Sequence, residues 1–284
     1  MTISEDAMTQ STDILSEVRT VGVIGWGRMG AEMGKWLLKA GWPVVATDPS
    51  PEARDRIRAT GATPVDSVGE VGASADLVLL VVVDDQQVKD IVAGDGGLTS
   101  VASPGTIVAV CSSVRPDTCI QLAEVALKER IRVVDVALVG GERAAEQGGL
   151  TLMCGGDSGS IEECMPAFSA FATDVCHVGG PGAGQVAKSA NNILMWSNLR
   201  ADVEVLRLAK SLGIQPSKLR SILNAGTGGN RVLADWGLHR MRWPAKDLEI
   251  AIALADEAGV DVPFVRALQP LMAELTREDL DDLR

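Results

Sequence analysis

TVGVIGWGRMG, Thr20 to Gly30, is the stretch on which the reading of the whole chain turns. Thr20 to Gly25 is apolar and β-rich and predicts a strand. From Arg28 to Ala40 the apolar residues Met29, Met33, Trp36 and Leu37 recur at helical spacing. Between strand and helix stand Gly25, Gly27 and Gly30, a Gly-x-Gly-x-x-Gly string. The string alone is common, but a strand before it and a helix after it make a phosphate cradle. Gly25 permits the tight turn, Gly27 lets a pyrophosphate reach the backbone, and Gly30 lets the helix pack against the strand. The helix N-terminus then faces the phosphates with unpaired N–H groups and its positive dipole end. Gly25, Trp26, Gly27, Arg28, Met29 and Gly30 are thus the expected dinucleotide loop.

Gly41-Trp42-Pro43 breaks the chain, and Val44 to Thr47 predicts a second strand that ends at Asp48, 18 residues past Gly30. A carboxylate there accepts hydrogen bonds from both hydroxyls of an adenine ribose and repels a 2′-phosphate. No arginine follows at once, and Arg54 is six residues on, so NAD is expected rather than NADP. Pro51 to Thr60 predicts a helix. Ala75 to Val83, ADLVLLVVV, is apolar without alternation, as a strand covered on both faces must be. More strands are expected at Thr106–Cys111, Arg132–Leu138, Leu150–Cys154 and Asp174–Val178, with a helix over Pro116–Glu129. This alternation predicts an α/β, doubly wound Rossmann sheet over residues 19–178.

After Gly179-Gly180-Pro181-Gly182 the strand signals stop. One helix of about 30 residues is expected over Ala183–Leu212, and others at Pro216–Asn224, Asp247–Ala258 and Pro263–Arg277. A helical C-terminal domain, 179–284, is therefore predicted, whose long helix offers an apolar side for oligomerisation. Residues 1–18 read as a disordered lead-in, and the charged tail from Arg277 to Arg284 as a frayed end.

Composition narrows the function. The chain has 284 residues, 46% of them hydrophobic, with 38 acids against 26 bases for a net charge of −12. A negative chain repels nucleic acid and anionic membrane surfaces, so neither is an expected partner. Without any tyrosine, no tyrosine acid or base is available. His177 and His239 are the only histidines, too few for a histidine-built metal site or relay, and no metal is expected. Cys111, Cys119, Cys154, Cys164 and Cys176 form no Cys-x-x-Cys and read as reduced thiols. The longest apolar run, Leu77 to Val83, is far short of the roughly 20 residues that span a bilayer, and the N-terminal segment has no signal-peptide pattern. A cytoplasmic protein is expected.

GAGQVAKSANN, Gly182 to Asn192, opens the long helix. Gly184, Lys188 and Asn192 stand four residues apart and share one face, among Val186, Ala187, Ala190 and Ile193. A lysine so placed is either a snorkelling surface residue or a partly desolvated proton carrier, since desolvation lowers an amine's pKa.

Four segments together resemble the β-hydroxyacid dehydrogenase family, which includes 3-hydroxyisobutyrate dehydrogenase and tartronate semialdehyde reductase and is related to 6-phosphogluconate dehydrogenase. They are VGVIGWGRMG, CSSVRPDT (Cys111–Thr118), DVALVGGERAAEQGGLTLMCGG (Asp135–Gly156) and GAGQVAKSANN, with KDL at Lys246–Leu248 also fitting. The resemblance spans about residues 20–275. It implies that Lys188 is the catalytic acid/base and that Asn192 holds the same substrate oxygen. It also implies cofactor contacts at Ser113 and Lys246, with Val82 and Val83 beside the adenosine. Ser112, Val139, Gly140 and Gly141 would line the substrate, the two glycines offering N–H groups to a carboxylate; Asp135 and Ala137 read as packing positions. One departure matters: Val139 stands where the family has a serine. Losing such a hydrogen bond to a charged group costs about 1.5–3 kcal/mol, so the substrate is either less polar than the usual small acids or held by another cation such as Arg143. The segment between Asn224 and Lys246 makes Trp236 and Arg242 further candidates for substrate choice.

The expectation is an NAD-dependent oxidoreductase acting on a 3-hydroxy acid or its aldehyde, forming a homodimer or tetramer. Two alternatives remain: an imine reductase-like NAD(P)H enzyme, disfavoured by Lys188 and Asp48, and a non-catalytic dinucleotide-binding interaction protein.

Overall fold

The computed structural model describes residues 18–238, 241 and 243–284. All but the last residue of the expected lead-in lies outside the described residues, as do His239, Arg240 and Arg242. In chain order the first part runs β1 (Val21–Ile24), α1 (Arg28–Lys39), β2 (Val44–Thr47), α2 (Pro51–Thr60), β3 (Thr63–Pro64), α3 (Val68–Ser74), β4 (Leu77–Leu80), α4 (Asp85–Ala93), α5 (Leu98–Val101), β5 (Ile107–Val110), α6 (Pro116–Lys128), β6 (Arg132–Val139), α7 (Gly141–Glu146), β7 (Leu150–Gly155), α8 (Ser158–Phe168) and β8 (Ala172–Gly179). The helical part is α9 (Ala183–Ser211), α10 (Pro216–Asn224), α11 (Arg231–Ala234), α12 (Pro244–Glu257), α13 (Pro263–Ala273) and α14 (Arg277–Asp281).

The strands form one sheet in the order β3-β2-β1-β4-β5-β6-β7-β8. Every residue of β1, β4 and β5 is buried, which explains why these strands read as unbroken apolar runs. Val21, Val23, Leu77 and Leu79 enter one core with Met33, Leu37 and Phe168. Ile24, Val78 and Leu80 enter the core on the other face, with Val88, Val108 and Leu122. Each such side chain, fully buried, contributes about 1.5–3 kcal/mol.

From β3 to β6 all pairings are parallel, but β7 runs antiparallel to β6. The cause is the connection: residues 140–149 hold only the short α7, and a parallel crossover needs a dozen residues or more. β8 then pairs parallel to β7 at the sheet edge, where most of its residues are exposed.

Two compact units divide after Lys188, inside α9. The second unit has its own core, in which Trp196, Leu199, Val203 and Leu206 of α9 meet Leu248, Val265, Leu268 and Met272. The frayed tail expected from Arg277 is corrected here. Thr276 and Asp279 form a reciprocal capping box that starts α14. Leu280 and Leu283, 1% and 0% exposed, anchor it in that core. Charge alone misled, because two leucines at i, i+3 outweigh the polar residues around them.

Candidate active site

The order 3-2-1-4 places a switch point between β1 and β4, where the chain leaves in opposite directions and a crevice opens at the C-terminal strand ends. Gly25–Gly30 follows β1, Asp48 follows β2, Val82 and Val83 follow β4, Ser112 and Ser113 follow β5, and Val139 ends β6. These strands are mutually parallel, so the fold brings all of these residues to one edge of the sheet.

The three glycines do three different jobs. Gly25 has φ +98°, and a Cβ there would stand 2.4 Å from the Val81 carbonyl oxygen. At Gly30 a Cβ would stand 2.0 Å from the Gly25 carbonyl oxygen. Gly27 differs: a Cβ there would meet nothing within 4 Å. It is also the N-cap of α1, with no side-chain cap and no acidic residue in the first turn. A cradle open at the N–H end of a helix fits a dinucleotide pyrophosphate.

Asp48 is held ready beside this cradle. Its Oδ2 accepts from Trp26 N at 2.7 Å and its Oδ1 from Ser50 N at 2.9 Å. Each oxygen keeps further lone-pair capacity, as ribose recognition requires. Arg54 is drawn away, its Nε donating to the Asp48 carbonyl and its Nη1 to Asp66. Trp26 faces inward, fully buried, with its ring over Gly34. Its backbone is engaged as well, the N–H by Asp48 and the carbonyl by Arg56 Nη2 at 3.3 Å. Arg28 is exposed and pairs with Glu142 at 3.0 Å, and Met29 packs partly into the core.

Ser112 and Ser113 separate. Ser113 is exposed. Ser112 is 4% exposed, and its hydroxyl is engaged by the main chain, accepting from Val82 N at 2.9 Å and donating to Leu80 O at 3.3 Å. It ties the loop after β4 to the loop after β5. Val82 is half-buried and Val83 is 76% exposed.

Gly140 and Gly141, both with positive φ, turn the chain from β6 into α7, and a Cβ at Gly141 would meet nothing within 4 Å. Lys188, half-buried, donates from Nζ to Leu138 O at 2.7 Å, beside Val139 at the end of β6. Asn192 follows one turn later on α9 and is 8% exposed, its Oδ1 accepting from Asn191 Nδ2 at 3.3 Å. Lys246 is exposed in the first turn of α12, in the second unit. Trp236 belongs to the packing of that unit: its Nε1 donates to Leu280 O at 3.2 Å, and Arg220 lies over its ring. Arg242 falls outside the described residues.

Asp135 corrects an expectation. It is not a packing position but a buried hydrogen-bond acceptor at the start of α9, taking N–H groups from Gly182 and Gln185. Gln185 was missed altogether, although it sits inside the motif. Ala137, 2% exposed, does pack.

A Rossmann unit with this crevice defines the class: a dinucleotide-dependent oxidoreductase. Family models extend the assignment along the chain. The NAD-binding domain of 6-phosphogluconate dehydrogenase matches residues 20–180. The domain described as NAD-binding of NADP-dependent 3-hydroxyisobutyrate dehydrogenase matches residues 182–283. Among curated relatives, an uncharacterized oxidoreductase of Mycobacterium tuberculosis is 35% identical, covering 91% of this chain and 94% of that one. The NAD-dependent L-serine dehydrogenase of Pseudomonas aeruginosa is 32% identical over 93% of this chain and 83% of its own length. Among solved structures, the 3-hydroxyisobutyrate dehydrogenase of M. tuberculosis with L-serine superposes at TM-score 0.84. It covers 94% of this chain and 99% of that one at 24% identity, a likeness of fold. The chain belongs to the β-hydroxyacid dehydrogenase family. It is an NAD(P)-dependent oxidoreductase of the CH–OH group, a hydroxyacid dehydrogenase.

Proposed function

We propose that the protein oxidises the 3-hydroxyl of a small 3-hydroxy acid with NAD, or reduces the corresponding carbonyl, with Lys188 as the acid/base. The observation that carries this reading is the seat of Lys188, whose ammonium is bonded to the Leu138 carbonyl immediately before Val139, Gly140 and Gly141. The amine thus stands at the same sheet edge as the dinucleotide crevice. The nicotinamide held in that crevice would supply the acceptor for the hydride of the hydroxyl-bearing carbon. Lys188 takes the hydroxyl proton as the neutral amine in that direction and returns it from the ammonium in the other. Asn192 donates from its amide to the same oxygen and so orients it. The N–H groups of Gly140 and Gly141 receive the carboxylate.

Asp48 supports NAD over NADP. Its carboxylate is fixed by two backbone N–H groups and cannot swing from a 2′-phosphate without breaking both. Ser113 and Lys246 complete the cofactor contacts, with Val82 and Val83 beside the adenosine. Val139 removes one hydroxyl donor from the substrate loop, which favours a less polar acid or one held by the exposed Arg143. L-serine, named for the Pseudomonas relative, is itself a 3-hydroxy acid. Five cysteines without a disulfide, one of them the exposed Cys176, suit a reducing, cytoplasmic compartment.

The test is NADH formation against a panel of 3-hydroxy acids, from glycerate, serine and 3-hydroxyisobutyrate to bulkier apolar members, with Lys188→Ala in parallel. The reading expects one or more acids to turn over and the variant to lose at least about 100-fold in kcat. Turnover confined to cyclic imines with NADPH, or a variant as active as the parent, would refute it.

A further inference from the structure

The first turn of α9 is bonded to two other parts of the sheet edge. Asp135 of β6, 1% exposed, spreads its carboxylate under the helix start, Oδ1 accepting from Gly182 N at 2.7 Å and Oδ2 from Gln185 N at 2.9 Å. Room for this carboxylate exists only because two neighbours are glycine. A Cβ on Gly155 of β7 would stand 2.5 Å from Oδ1, and one on Gly184 would stand 2.7 Å from Oδ2. Gln185, 4% exposed, reaches the other way: its Nε2 donates to Ser112 O at 2.9 Å and its Oε1 accepts from Val114 N at 3.3 Å. These two bonds bracket Ser113. Lys188 lies three residues beyond Gln185, about 4.5 Å along the axis and near the same face. Its Nζ returns to β6 at Leu138 O.

We propose that Asp135 and Gln185 are positioning residues that set where the Lys188 amine stands between the Ser112–Val114 loop and the Val139–Gly141 turn. The proposal rests on the reading of Lys188 as the acid/base. A buried carboxyl is an expensive way to fill space, and its burial pushes its pKa up against the N–H groups that lower it. An apolar residue would pack as well but could not hold the helix start in register. With Asp135 of β6 gripping the turn and Gln185 of the turn gripping the β5–α6 loop, the helix can neither slide nor rotate without breaking a buried bond. A displacement of about 1 Å at the amine is enough to cost up to 100-fold in rate.

Gln185→Met keeps the length of the side chain and removes both loop bonds. Asp135→Asn keeps the shape and replaces one acceptor by a donor facing a donor. Ile57→Val, on the buried face of α2, serves as a control that loosens the sheet unit without touching the cluster. Two readouts are taken on the full protein. The first is competitive acetylation of Lys188 with acetic anhydride, quantified by peptide mass spectrometry against the exposed Lys218, with no substrate present. The second is kcat and KM for the best acid of the panel. Gln185→Met and Asp135→Asn should raise Lys188 labelling at least fivefold and lower kcat about 10- to 100-fold with both KM values within about twofold, while Ile57→Val changes neither. Labelling and kcat at parental values in Gln185→Met would overturn the proposal, as would an equal rise in labelling in Ile57→Val. If Asp135→Asn does not fold, Gln185→Met decides alone. If Lys188→Ala retains activity, the acid/base reading fails, and the labelling still decides whether the two residues hold that side chain.

Discussion

Gly27→Ala separates cofactor binding from folding more sharply than any other change at the site. Gly27 has φ −74° and ψ −162°, which alanine adopts without strain, and its Cβ would meet nothing within 4 Å. Two small effects on stability oppose each other. Alanine restricts the unfolded chain and so stabilises by about 0.4–1 kcal/mol, while as an N-cap it is worse than glycine by a similar amount. The net change in Tm should stay within about 2 °C. The added methyl, however, fills the space through which a pyrophosphate must approach the α1 N–H groups. Loss of one charge-assisted hydrogen bond there costs about 1.5–3 kcal/mol, so NADH affinity should fall about 10- to 100-fold. Titration of NADH fluorescence measures the affinity and calorimetry the Tm. Gly30→Ala is the counter-case: its Cβ would lie 2.0 Å from the Gly25 carbonyl oxygen, so the βαβ turn itself must open. It should lose about 1–3 kcal/mol of stability or more, as overpacked cores do. NADH affinity within threefold of the parent in a stably folded Gly27→Ala protein would refute the placement of the pyrophosphate at the α1 N-terminus.

Other consequences follow from particular groups. Asp48→Ala should weaken NAD binding about 10-fold or more, by loss of charge-assisted bonds to ribose, and narrow the NAD/NADP preference; an unchanged preference in kcat/KM would remove Asp48 from ribose recognition. Asp202 on α9, 8% exposed, accepts from Asn230 Nδ2 at 3.0 Å, and burial raises its pKa above the ordinary carboxylate value. A raised folded-state pKa means that the native state holds the proton more tightly, so this group's contribution declines as pH rises from about 4. The Tm of Asp202→Asn relative to the parent should therefore increase between about pH 4 and pH 7; a flat difference would contradict the shift. Leu194 and Leu208 on α9, Leu212 just past its end and Ile222 on α10 are 65%, 62%, 71% and 59% exposed, apolar surface that predicts a homodimer or larger assembly. A monomeric mass by light scattering at micromolar concentration would disprove it.

Much of the architecture was legible because it is written in local pattern. The four-residue strands at Val21, Leu77 and Ile107 announce burial on both faces, and Ala183–Ser211 matches the expected long helix to within one residue. Several short helices went unread although their start signals were present. Ser67, Asp84 and Asp157 each accept a backbone N–H three residues on, at the N-caps of α3, α4 and α8. Short segments between strong strands give too few residues for periodicity to register.

By itself the sequence determined the strand–helix alternation of the Rossmann unit, the glycine loop at Gly25–Gly30, the carboxylate of Asp48 at the end of β2 and the helix face shared by Lys188 and Asn192. Each of these depends on residues within one βαβ unit or one helix, whose spacing is fixed by backbone geometry. Only the tertiary structure decided what Asp135, Gln185 and Ser112 do. Their partners lie 47 and 50 residues away for Asp135, 71 and 73 for Gln185, and 30 and 32 for Ser112. A buried polar side chain must find a hydrogen bond, but the sequence states only that need. Which donor meets it is settled when parallel strands bring their C-terminal ends to one edge.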